Sequence, residues 1–154
     1  MKMFIMANAD AVEKIQNPNN VNFIRSARDD NNKLFLIAGL NTGEVIEISK
    51  KQSMLSYPFE PVLSFLHSHF DNTYRAHFGL LNNDACFNIN TFEKFEYQKS
   101  DEGHCVAVVA HFNDGNSHKC FDYREKHFEK EKGKLESFER RVQSIRKFVD
   151  EMEV

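Results

Sequence analysis

At 154 residues the chain has the usual size of one folded domain, and 41% hydrophobic against 28% charged residues is the balance of a globular protein rather than a disordered one. A formal charge of -3 with no block of Lys or Arg argues against a dedicated nucleic-acid binder, whose affinity comes from neutralising phosphates. No apolar run reaches membrane-spanning length, Asn8 and Asp10 cut short any signal-peptide core, and three cysteines without a Cys-x-x-Cys pair suit a reducing compartment. The expectation is therefore a single cytoplasmic domain over residues 1–154, its core built largely on 15 phenylalanines in the absence of tryptophan.

In chain order, Asp10 and Glu13 have capping-box spacing ahead of a short helix that Asn17-Pro18 stops. Apolar runs at Val21 to Ala27, Leu34 to Leu40 and Glu44 to Ile48, separated by Asp29 to Asn32 and by Asn41-Thr42-Gly43, predict a three-strand meander. Pro58 and Pro61 open a helix with Phe59, Val62, Leu63, Leu66 and Phe70 at helical spacing. Strands are predicted at Tyr74 to Leu81 and Ala85 to Phe92, and a hairpin pairs His104 to Phe112 with Ser117 to Phe121 around Asn113-Asp114-Gly115-Asn116. Asp122 and Glu125 repeat the capping-box spacing before a final helix, with Gly133 a weak point inside it. The predicted fold class is α+β: an antiparallel sheet of about six or seven strands with a short N-terminal, a middle and a long C-terminal helix.

Six of the seven histidines lie between His67 and His118, which raises metal or acid/base chemistry. His67 and His69 sit two apart on a predicted helix, where side chains point about 200° apart and do not converge on one ion, so the expectation is no bound metal. With only 6 glycines, Gly39 and Gly43 marking turns, no phosphate cradle occurs and no cofactor is expected. Glu93, Glu96, Asp101 and Glu102 share a polar stretch read as solvent-facing.

His67-Ser68-His69 resembles the metal-binding core of JAMM-type isopeptidases, and the run from His104 through Asp122 is similar to their closing hairpin. The resemblance implies His67 and His69 as metal ligands, although His77 and Leu80 stand where that family carries its Ser-x-x-Asp. Gly103-His104-Cys105-Val106-Ala107-Val108-Val109 followed by Phe121-Asp122 resembles papain-like cysteine peptidases. This implies His104 as a base oriented by Asp122. That family's nucleophile lies on a helix well upstream, whereas the earliest thiol here, Cys86, falls in a predicted strand.

The most informative stretch is the last. Leu135, Val142 and Val149 recur every seven residues, Phe138, Ile145 and Met152 form a second row three further on, and Phe148 widens the seam. A helix with that stripe buries it against its own sheet or against another chain. With no assembled acid, base or nucleophile, the expected function is a non-catalytic protein-binding domain of adaptor, inhibitor or immunity type. Its partner would be another protein, with a homodimer as one form of that contact, and the rival is a histidine-centred hydrolase.

Overall fold

The computed structural model describes residues 6–53, 60–99, 101 and 105–152. Pro58, Phe59, Glu102, Gly103 and His104 lie outside them. Among the described residues the chain is α+β as expected. It has eight strands rather than six or seven, divided between two antiparallel sheets rather than one, and the contacts group into two compact units, 1–88 and 89–154.

In the first unit a five-stranded sheet runs in the order β3-β2-β1-β5-β4. The predicted meander is there as β1 (Val21–Arg28), β2 (Leu34–Leu40) and β3 (Val45–Glu47). Its turns use the chemistry the Asx residues supply. The Asp29 carboxylate accepts from the backbone N–H groups of Asn31 and Lys33, both at 2.9 Å, and Asn32 takes the positive φ of 61°. Phe23 stands opposite Gly39 in the β1–β2 register, and its ring fills the space a side chain at Gly39 would need.

Helix α1 (Ala9–Lys14) forms near the predicted place, but its cap is Asn8, without a side-chain hydrogen bond, so Asp10 lies in the first turn instead of capping it. Helix α2 (Pro61–His69) begins on its proline and buries Val62, Phe65 and Leu66.

The predicted strand from Tyr74 is corrected. Asn72–Arg75 is a short helix, α3, because Asp71 accepts the Tyr74 N–H at 2.9 Å, and β4 starts only at Phe78 (Phe78–Asn82). Tyr74 is buried and donates its hydroxyl to the Ile15 carbonyl at 2.5 Å. The next predicted strand also divides, into β5 (Ala85–Asn88), which belongs to this sheet, and β6 (Phe92–Lys99), which belongs to the other.

The second unit is a three-stranded sheet, β6-β7-β8, covered by one long helix. β7 (Cys105–Phe112) buries Val106, Val108, Ala110 and Phe112 on alternate positions, and the tight turn to β8 (Ser117–Arg124) places Gly115 at φ 90°. β6 occupies the polar stretch read as solvent-facing. A bulge between Phe92 and Lys94 turns both Phe92 and Phe95 inward, although they are three residues apart.

Asp122 is not the cap of the last helix. It lies inside β8 opposite Ala107, exposed and paired with Lys119 at 3.3 Å, and α4 (Glu125–Met152) starts beyond it. The ladder to β7 extends to Arg124, so the strand claims Asp122 before the helix can.

Candidate partner-binding face

α4 divides its apolar seam in two. Phe128, Leu135, Phe138 and Val142 are buried in the unit's own core, where the Phe138 ring meets Phe92 edge-on at 5.2 Å and Phe95 at 5.9 Å. Tyr97 on β6 packs on Phe128 and donates its hydroxyl to Glu139 at 3.1 Å, tying helix to strand a second time. Beyond Val142 the seam meets solvent: Ile145 is 44%, Val149 45%, Phe148 63% and Met152 70% exposed. Their spacing of three, four and seven residues puts them on one face of the helix. Four large apolar side chains thus stand together in water on an element held by its other half.

Arg146 fixes the edge of this face and was not singled out by the sequence pattern, in which it is one cation among many. Its Nε–H donates to the Ile89 carbonyl at 3.1 Å, while Nη2 is buried without a hydrogen-bond partner. Burial lowers its pKa from the ordinary guanidinium value, with the Glu93 carboxylate pulling in the opposite direction. A cavity of about 340 Å³ lies here, with Ile89, Asn90 and Asn113 on one side and Ile145, Arg146 and Val149 on the other. Apolar contact and a desolvated donor therefore stand side by side at the start of the exposed stripe.

Of the residues considered for catalysis, Cys86 belongs to the first unit and Asp122 to the second. Cys86 is fully buried in β5, its thiol pushed up to about 12 by desolvation, so the sulfur is held protonated in the core. His104 lies outside the described residues, and Asp122 serves Lys119 on a strand of the second unit.

His67 and His69 both fall in the last turn of α2, where the His69 ring packs on Phe65 with centroids 4.6 Å apart. Of the pair, His69 lines a cavity of about 350 Å³ that also takes in His77, floored by the stacked rings of Phe70 and Tyr74. The nearby groups already have partners: His77 Nδ1 lies 3.0 Å from the Thr73 carbonyl, and the Asp71 carboxylate caps α3. Among the described residues no three His, Cys, Asp or Glu side chains are grouped as a metal site would need, and no helix is long and apolar enough to cross a membrane. No protein-family model, curated protein or solved structure matches the chain.

Proposed function

We propose that this chain is a non-catalytic protein-binding module whose docking element is the C-terminal half of α4. The observation that carries the reading is the exposed stripe of Ile145, Phe148, Val149 and Met152 on a helix whose first half is anchored in a phenylalanine core. Anchoring matters energetically. An isolated ten-residue helix is marginal in water, whereas one continued from a packed helix presents its side chains already ordered, and binding then costs less conformational entropy. An adaptor, an inhibitor or an immunity-type protein would use such a face in the same way.

Site-directed photocrosslinking in the producing cell tests this. Phe148→benzoylphenylalanine should yield a discrete adduct of defined mass, lost when Met152→Asp is added, whereas Lys51→benzoylphenylalanine, on the first unit's surface, should not give it. No adduct at position 148, or the same bands from both positions, would refute the docking role.

A further inference from the structure

The cavity beside His69 and His77 lies wholly within the first unit and has a chemistry that the stripe on α4 does not share. Four of its lining residues, His69, Phe70, Tyr74 and His77, carry aromatic rings, and Asp71 adds a carboxylate. Among the described residues no Lys or Arg lines it.

Local structure explains why the rings gather. α2 ends at His69 with Phe70 as its extended cap, and Asp71 then turns the chain into α3, so all four rings come from one short run of sequence. Phe70 stacks on Tyr74 with centroids 3.7 Å apart and planes 9° apart, which covers one of its faces. The His69 ring stands at 62° to that of Phe70, with centroids 6.5 Å apart, so the two make adjoining walls rather than one flat surface. His77 is held by its Nδ1–H, which donates to the Thr73 carbonyl at 3.0 Å, because a carbonyl can only accept.

Aromatic faces carry partial negative charge, and several rings around one space with a carboxylate beside them attract a cation. The kind of cation follows from the polar atoms. The Tyr74 hydroxyl is donated to Ile15, the Thr73 carbonyl takes the His77 hydrogen, and Asp71 Oδ1 accepts the Tyr74 N–H. A primary ammonium would therefore exchange its water for few open acceptors. A metal ion finds no group of three ligands among the described residues. A quaternary ammonium needs neither. We propose that this cavity binds a trimethylammonium group on an uncharged stem, the chemistry of choline and of a trimethylated lysine side chain. A phosphate or carboxylate next to the ammonium would meet Asp71 and no basic lining residue. Arg75, the next cation along the chain, donates to the Phe70 carbonyl and to Asn72 Oδ1.

Isothermal titration calorimetry of the purified full chain with choline chloride tests the proposal. Two probes on the same stem accompany it: ethanolamine, with a primary ammonium, and the alcohol in which a tert-butyl group replaces the trimethylammonium, equal in shape but uncharged. Choline should bind at low millimolar concentration or tighter, and both controls about tenfold more weakly or worse. Asp71→Asn keeps a capping oxygen for the Tyr74 N–H and removes the charge, so it should weaken choline severalfold while the melting temperature stays near that of the unmodified chain. His69→Ala should weaken binding and His69→Phe should keep it, because the wall has to be aromatic rather than ligating.

No heat with either choline or a trimethyllysine peptide would overturn the site, and equal binding of the tert-butyl alcohol would overturn its preference for a cation. Retention on phosphatidylcholine vesicles without choline binding would overturn the uncharged stem. A trimethyllysine peptide that binds more tightly than both choline and its unmethylated form supports the site and assigns its ligand to a protein side chain. Choline as tight as that peptide supports it and assigns the ligand to a small molecule.

Discussion

Phe138 and Phe148 are both phenylalanines on the apolar side of α4, and truncating each to alanine should have very different consequences. Phe138 is 1% exposed and is enclosed by Phe92 and Phe95. Phe138→Ala removes a whole ring from a packed site, so the lost transfer energy and the remaining cavity together should cost about 3–5 kcal/mol. The edge-on contact with Phe92 places the cost toward the upper part of that range, since such pairs contribute ~0.5–1.5 kcal/mol beyond burial. Phe148 is already 63% exposed in the single chain, and Phe148→Ala should change the stability of the monomer by no more than about 0.5 kcal/mol. Urea denaturation followed by circular dichroism measures both. It should be run dilute, where association does not add to apparent stability. Equal costs for the two substitutions would mean that the tail is packed as tightly as the first half. A cost below about 1 kcal/mol for Phe138→Ala would mean that the helix does not cover this sheet.

Gly133 lies inside α4 with nothing within 4 Å of where a Cβ would stand, so Gly133→Ala should stabilise the second unit by about 1 kcal/mol and raise its melting temperature. An unchanged or lower temperature would count against a continuous helix there. In acid, the Glu96 carboxyl is held below its ordinary value of 4.5 by hydrogen bonds, first from the Gln98 amide and then from His111, whose Nε2 is 2.7 Å away. A carboxyl depressed in the folded state stabilises above its unfolded pKa, and that contribution is lost as pH falls through the folded value. Melting temperatures of the unmodified chain should therefore fall between about pH 5 and pH 3 more steeply than those of Glu96→Gln, and parallel curves would refute the assignment.

The elements that were legible in the sequence are those whose signals are local. The β1–β2–β3 meander followed from apolar runs bounded by Asx-rich turns, and Asn32, Gly43 and Gly115 take the positive φ values such turns require. Elements were misread where two local signals competed or where a bulge altered the period. Asp71 caps α3 in a stretch whose β-branched and aromatic residues otherwise read as strand, and Asp122 has cap spacing but sits on a ladder that extends to Arg124. β6 was hidden because its bulge replaces the period-two alternation of apolar positions with Phe92 and Phe95 three apart, amid charges. The separation into two sheets had no local signature, since Ala85 to Phe92 looks like one apolar run and the chain passes from one unit to the other within it.

The heptads announced a seam but not the point at which it would leave the core, because that point depends on the size of the sheet beneath. Each strand of the second sheet has 8 residues, about 26 Å when extended, while the 28 residues of α4 extend for about 42 Å. Phe128 to Val142, the buried part, is about 21 Å of helix, which fits within the length of the strands. The helix therefore has more apolar length than its sheet can cover, and the surplus is where Ile145, Phe148, Val149 and Met152 become exposed. A tail whose only role was to close the core would need no large apolar residues past Val142, since polar residues on that overhang would remove the cost of exposing them. Arg146, with Nε–H donated to the Ile89 carbonyl in the turn ahead of β6 and Nη2 buried without a partner, ties the start of the overhang to that turn, so the phase of the stripe is set by the packed half of the helix. The same packing that stabilises the first half of α4 thus determines which side of the second half carries the exposed stripe.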